Sequence, residues 1–144
     1  MREFSDAQLK HLEFIQAVIA RQASNSFLLK GWALTVAGIF YGFSAYHLSW
    51  RVAVVGSVAI FAFWYLDAFF VRQERLFRCL YNDAIGESPA APILSLSTKP
   101  FLGDSNVKWA AILFSQTLWV YYACIVVVGA GLVAFGAVHA VSAH

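Results

Sequence analysis

The chain has 144 residues, of which 60% are hydrophobic and only 12% are charged, and its mean hydropathy is +0.66. This composition excludes an ordinary soluble domain and predicts an all-α integral membrane protein rather than a globular enzyme. The net charge of +2 is small. Two cysteines, Cys79 and Cys124, cannot build a disulfide framework, so we expect both thiols to be free.

The first predicted element is an amphipathic helix over residues 5–26. Ser5 and Gln8 have the spacing of a capping box, and apolar residues then recur at helical intervals as far as Ile19. The chain has no proline before residue 89 and no glycine before Gly31. We therefore expect this helix to continue unbroken into the first apolar run, which begins too far along the chain for a signal peptide.

The first transmembrane helix is predicted over residues 27–48. Small residues recur along it at i, i+4, i+7, i+11 and i+14, and we call them the small-residue stripe: Gly31, Thr35, Gly38, Gly42 and Ala45. Such a stripe lets the backbones of two helices approach closely in a bilayer. The pattern leaves open whether the second helix belongs to the same subunit or to a neighbouring one.

A tight turn at 49–51 is followed by the second transmembrane helix, predicted over 52–71. Helical periodicity continues past the apolar run, so we expect a cytoplasmic extension of the same helix over 72–86. Gly86 is the predicted C-terminal stop.

Residues 87–106 contain all three prolines and predict a loop. Its apolar side chains are candidates to dock on a helix: Ile93, Leu94, Leu96, Phe101 and Leu102. Asp104 or Ser105 is the expected cap of the last helix. The third transmembrane helix is predicted over 109–140, which is longer than the roughly 30 Å of hydrocarbon requires.

The distribution of basic residues predicts the orientation. Nine of the ten Lys and Arg residues belong to the N-terminal part or to segment 72–108: Arg2, Lys10, Arg21, Lys30, Arg72, Arg75, Arg78, Lys99 and Lys108. The outer turn holds only Arg51. The positive-inside rule therefore places the N-terminus and segment 72–108 in the cytoplasm and the C-terminus outside, as three spans require.

Lys30 and Asp67 are the ionisable residues of greatest interest, because each lies about one turn inside a predicted span. The two spans are antiparallel, so the residues fall at similar depth. A charge inside a membrane is costly and is usually paired or faces a cavity. We therefore predict an ion pair, with separate snorkelling to the interface or a water-filled lumen as the alternatives.

Three further polar residues stand where the first span begins, and we call Arg21, Asn25 and Ser26 the membrane-boundary residues. Arg21 and Asn25 share one helix face, whereas Ser26 and Lys30 share a roughly opposite one. Polar groups on two faces favour an oligomer or a tight bundle, with ordinary interfacial solvation as the alternative.

Arg72, Arg75 and Arg78 form a basic collar after the second span. A collar of this kind commonly marks topology and contacts lipid phosphates. Nucleic-acid or nucleotide binding is not expected, since no glycine-rich phosphate loop accompanies it. The histidines have no metal-ligand spacing, and no catalytic constellation appears, so we expect no metal, no cofactor and no enzymatic activity.

Two stretches carry a resemblance: residues 21–32 (RQASNSFLLKGW) and 66–81 (LDAFFVRQERLFRCLY). They resemble a family of small bacterial inner-membrane proteins. More remotely, the Arg-x-x-x-Asn-Ser-Phe segment is similar to RipA-family octameric membrane proteins and to two-span effector modules of nucleotide-signalling defence systems. The resemblance implies an inner-membrane location and an oligomeric, pore-like assembly that serves antiviral defence.

Two functions therefore stand as expectations. The first is a self-assembling inner-membrane protein that acts as a pore-like or membrane-perturbing effector in antiviral defence, with Lys30 and Asp67 lining or gating a polar path. The alternative is a non-conducting scaffold that presents a cytoplasmic helical platform to a protein partner. Both have the lipid bilayer and further copies of the chain as partners.

Overall fold

The computed structural model describes residues 5–47, 49–86, 92 and 95–142. Of these residues, 89% are helical and none is in a strand. The elements in chain order are α1 (Asp6–His47), α2 (Trp50–Ile85), 3₁₀ turns at Lys99–Phe101 and Ser105–Val107, α3 (Trp109–Leu113) and α4 (Gln116–Ser142). Three of them, α1, α2 and α4, are long and apolar enough to cross a membrane.

Helix α1 is continuous through the predicted boundary at residues 26–27. Its N-terminus has the predicted capping box, in which Ser5 N–H donates to Gln8 Oε1 (2.9 Å) and Gln8 N–H donates to Ser5 Oγ (3.3 Å). With 42 residues the helix is about 63 Å long. It is therefore about twice as long as the hydrocarbon layer of a bilayer is thick.

The connection between α1 and α2 is shorter than the predicted turn at 49–51, because Trp50 and Arg51 already belong to α2. Ser44 Oγ donates to the carbonyl of Ser49 (2.9 Å), and Ser49 N–H donates back to the carbonyl of Ser44 (3.2 Å). These two bonds satisfy groups that the ends of the helices leave open. At its other end α2 stops at Ile85, and Gly86 follows as predicted.

The predicted third span over 109–140 is not one helix. It is divided into α3 and α4, with Phe114 and Ser115 between them in non-helical conformation. Asp104 accepts a hydrogen bond from Asn106 N–H (2.9 Å) and so caps the second 3₁₀ turn rather than a long helix. Residues 116–138 alone, about 34 Å of helix, suffice to span the hydrocarbon.

The chain forms two compact units. The hairpin unit comprises Met1–Ser26 and Ala68–Ile112, and the bundle unit comprises Phe27–Asp67 and Leu113–His144.

In the bundle unit, each of three helices buries positions that recur at intervals of three, four or seven residues. They are Ala33, Ala37, Tyr41 and Ser44 on α1, Ala53, Gly56, Ile60 and Asp67 on α2, and Leu118, Tyr122, Ile125, Gly129 and Gly136 on α4. This spacing is that of helices packed at a small crossing angle. A Cβ on Gly56 would lie 2.7 Å from Phe40 Cβ, so a glycine lets α2 approach α1 at this level.

The small-residue stripe does not belong to this packing. All five of its residues are exposed, and in the described part of the chain a Cβ on Gly31, Gly38 or Gly42 would meet no atom within 4 Å other than the adjacent helix backbone. Packing within one subunit, one of the two alternatives for the stripe, is therefore not its role here. The buried face of α1 lies about 120° around the helix from the stripe.

The hairpin unit packs the first part of α1 against the end of α2. Ile15 and Leu80 are fully buried, with partly buried apolar residues around them: Ile19, Phe77, Tyr81, Ala84 and Phe101. Phe101 is thus the loop residue that docks, whereas Leu96 and Leu102 are exposed. Ile93 and Leu94, also expected to dock, lie outside the described residues.

Candidate functional site

A salt bridge in the bundle unit joins Lys30 and Asp67, the two charges that the sequence places inside predicted spans. Lys30 Nζ lies 2.6 Å from Asp67 Oδ2, and the exposed fractions of the two side chains are 19% and 0%. Lys30 comes from α1 and Asp67 from α2, whose antiparallel course puts them at one level. Two opposite charges in contact are far cheaper to bury than either alone, so each residue explains the presence of the other.

Two adjacent tyrosines of α4 complete this site. The hydroxyl of Tyr122, which is fully buried, donates to Asp67 Oδ2 (3.2 Å) and lies 3.4 Å from the carbonyl of Phe63. The hydroxyl of Tyr121 donates to the carbonyl of Lys30 (2.7 Å). The pair is thereby tied to all three long helices, and a charge-assisted bond to the carboxylate strengthens it.

An aromatic wall stands beside the carboxylate. The indole of Trp64 stacks on Tyr122 with a centroid distance of 6.2 Å and an interplanar angle of 16°. Phe114, in the break between α3 and α4, meets the same indole edge-on at 6.4 Å. Trp64 Nε1 is buried and has no hydrogen-bond partner within the described part of the chain. These rings keep the surroundings of the ion pair apolar.

The Lys30–Asp67 pair is largely shielded from solvent. The carboxylate of Asp67 is inaccessible and Lys30 is mostly covered. Eleven residues further along α1 than Lys30, the Tyr41 hydroxyl is hydrogen-bonded to the Ser57 hydroxyl (3.1 Å). Among the described residues, the buried α1 positions between the two levels are the apolar Ala33 and Ala37.

The membrane-boundary residues differ from one another in burial. Arg21 is exposed and Asn25 is half-buried, whereas Ser26 is only 6% exposed. The two predicted faces thus differ in burial, and the side that bears Ser26 is the covered one. All three belong to the hairpin unit, while Lys30 belongs to the bundle unit.

The basic collar is not one uniform surface. Arg72 Nε donates to the carbonyl of Val107 (2.9 Å), and Arg75 Nη1 donates to the carbonyl of Asn106 (3.0 Å). Arg78 instead pairs with Glu74, at 2.7 Å between Nη2 and Oε1. The first two arginines hold the 3₁₀ turn against α2, a role that their sequence spacing alone does not predict.

Within the described residues, no three His, Cys, Asp or Glu side chains come together as a metal-binding group. Cys79 Sγ lies 3.9 Å from Asp104 Oδ2. Burial and the neighbouring carboxylate raise the pKa of the Cys79 thiol. The thiol is therefore a poor nucleophile at neutral pH.

Sequence reasoning did not single out Tyr121 and Tyr122, although both touch the ion pair. The signal for them in the sequence is weak. A tyrosine hydroxyl inside a predicted span needs a hydrogen-bond acceptor, and because hydrocarbon supplies none, the acceptor must be a carbonyl or carboxylate of the protein. The break at residues 114–115 had only Ser115 as a cue.

A comparison of the chain with protein-family models, curated proteins and solved structures found no match in any of the three. The resemblance of residues 21–32 and 66–81 to membrane-protein families therefore stays a prediction.

Proposed function

We propose that the chain is a non-catalytic inner-membrane protein that self-assembles through α1 and holds its hairpin unit at the cytoplasmic face as a platform for a protein partner. The closed Lys30–Asp67 contact is the observation that carries this proposal. A residue that lines an open path would keep its carboxylate in contact with water, whereas Asp67 has an exposed fraction of 0%.

The exposed small-residue stripe supports self-assembly. Its residues follow a four-three spacing along α1, which is the spacing of a packed helix seam. Yet within the described residues, no atom beyond the adjacent helix backbone lies within 4 Å of a Cβ placed on Gly31, Gly38 or Gly42. A second copy of α1 could approach this face to short backbone distance, which favours association between spans. We expect a symmetric contact centred near Gly38 and Gly42.

The proposed orientation rests on the basic residues. We expect the N-terminus and the hairpin unit in the cytoplasm and the C-terminus in the periplasm. A C-terminal alkaline phosphatase fusion should be active and a C-terminal green fluorescent protein fusion dark. The reverse pattern would contradict the three-span arrangement.

Ion flux across liposomes tests the central point. Purified full-length protein in liposomes should release no more of an entrapped ion-sensitive dye than empty liposomes do. A matched Asp67→Asn variant should also be silent if the pair is a structural lock. Flux in the wild type that Asp67→Asn changes would instead favour the pore-like, membrane-perturbing effector that the resemblance implies.

Self-assembly is tested by adding bulk to the stripe. Gly38→Leu with Gly42→Leu should shift the protein to smaller species in mild-detergent sizing and reduce cross-linking in membranes. Gly131→Leu is the matched control, because Gly131 is also a helical glycine whose Cβ would meet no atom within 4 Å. Equal effects of the stripe and control variants, or no effect of either, would exclude the stripe as the interface.

A further inference from the structure

The hairpin unit has a compact group of cations where α2 leaves the predicted second span. Arg72 and Arg75 lie one turn apart on α2, so their side chains share a face. They donate to the carbonyls of two consecutive residues, Val107 and Asn106. Lys108 follows Val107 directly and is exposed. Contacts of the fold therefore bring the two guanidiniums to the backbone next to Lys108, which sequence spacing alone does not do.

This group retains its charge and most of its hydrogen-bonding capacity. Each guanidinium has five N–H donors, and the structure gives Arg72 and Arg75 one hydrogen bond each, both to neutral carbonyls. Within the described part of the chain neither arginine forms an ion pair. Arg78 differs, because Glu74 neutralises it. Two fixed guanidiniums with open donors form a favourable receptor for phosphate oxygens.

We propose that Arg72, Arg75 and Lys108 form a binding site for the phosphate of an anionic phospholipid in the cytoplasmic leaflet. This inference rests on the membrane placement proposed above. Arg72 directly follows the predicted second span, and its guanidinium lies 5.1 Å from the ring centroid of Trp109. Arginine, lysine and tryptophan together are typical of the headgroup level of a bilayer. That position favours a lipid phosphate over a soluble nucleotide or an RNA.

Lipid binding to the full-length protein in a neutral detergent tests the site. Native mass spectrometry would measure the apparent Kd for phosphatidylglycerol and for phosphatidylcholine. We expect phosphatidylglycerol to bind more tightly than phosphatidylcholine. Removal of each cation should raise the apparent Kd for phosphatidylglycerol about fivefold, since one basic residue near an anionic surface contributes about 1 kcal/mol. Arg72→Gln with Arg75→Gln should weaken it about 25-fold by the same reasoning.

Matched controls separate a site from general charge. Arg78→Gln removes one positive charge from the same helix, and Lys99→Gln removes an exposed lysine from the same unit. Both should change the Kd less than twofold. Lys108→Gln leaves the Arg72 and Arg75 contacts intact, so it tests the site even if the arginine variants unfold.

Several outcomes would overturn the proposal. These are equal affinity for the two lipids, an Arg78→Gln effect as large as that of Lys108→Gln, or displacement of phosphatidylglycerol by inorganic phosphate or an RNA oligonucleotide at equal concentration. The fusion and flux experiments are independent of these measurements. A failure of the lipid site would therefore leave the proposed membrane scaffold intact, whereas a reversed fusion pattern would remove the cytoplasmic placement on which the lipid site rests.

Discussion

The two single substitutions that break the Lys30–Asp67 pair should destabilise the protein by different amounts. Lys30→Met leaves the carboxylate of Asp67, which has an exposed fraction of 0%, with the Tyr122 hydroxyl as a remaining donor. Asp67→Asn leaves a lysine that is 19% exposed and has a flexible stem. The lysine can extend towards the interface, whereas the carboxylate cannot. The asparagine also retains an oxygen that accepts from Tyr122.

The expected magnitudes follow from this difference. Removing one partner of a buried pair costs about 3–5 kcal/mol when the other charge stays buried, and we expect Lys30→Met to fall in this range. Asp67→Asn should cost about 1–3 kcal/mol, because snorkelling reduces the penalty of the remaining lysine. The double variant should be less destabilised than the sum of the two, with a coupling of about 1–3 kcal/mol.

Denaturing-detergent titration in mixed micelles measures the free energy of unfolding of the wild type, the two single variants and the double variant. Lys10→Met is the control, since Lys10 pairs with Glu13 on the surface, with exposed fractions of 67% and 62%, and should cost about 0.5 kcal/mol or less. The charge swap, Lys30→Asp with Asp67→Lys, should recover part of the loss. Additivity within about 0.5 kcal/mol, or a larger cost for Asp67→Asn than for Lys30→Met, would refute this reasoning.

Three smaller changes test neighbouring contacts. Tyr122→Phe removes the donor to the carboxylate and should cost about 1–3 kcal/mol in the same titration; no loss would mean that the carboxylate does not need this bond. Gly129→Ala should cost about 1–3 kcal/mol of the free energy of unfolding, because the Cβ of the alanine would lie 2.8 Å from the hydroxyl oxygen of Ser57. Gly131→Ala, with open space around it, should be neutral or stabilising by up to about 1 kcal/mol, and equal effects of the two would contradict the packing. Asp104→Asn should speed alkylation of Cys79, with the other cysteine replaced by serine, because the carboxylate that helps to raise the thiol pKa is removed; an unchanged rate would show that the two groups do not interact.

The local features of the chain were determined by short stretches of sequence. The capping box at Ser5 and Gln8 starts α1, and the absence of proline and glycine keeps the helix continuous as far as the first span. Gly86 follows the last residue of α2. Such features depend on backbone hydrogen bonds within a few residues, so a local pattern suffices to predict them. The three helices that are long and apolar enough to cross a membrane likewise follow from composition and the length of the apolar runs.

The level of Lys30 and Asp67 was also accessible from sequence, since two antiparallel helices joined by a short turn bring residues at equal distance from the turn to equal depth. Their additional partners were not. Tyr121 and Tyr122 are more than fifty residues away from Asp67 in the chain, and the periodicity of α4 does not state which of its faces meets the pair.

Tertiary structure alone decided which face of α1 is buried. The small-residue stripe and the buried face around Ala33 and Ala37 both have residues at intervals of three and four, so periodicity permits either to pack. The choice depends on the combined shapes of α2 and α4, which come later in the chain and pack against α1 only in the folded protein. The same holds for the collar, where Arg72 and Arg75 reach carbonyls more than thirty residues away while Arg78 pairs within its own helix. Sequence spacing sets where a side chain can point, but the partner it finds there comes from distant parts of the chain.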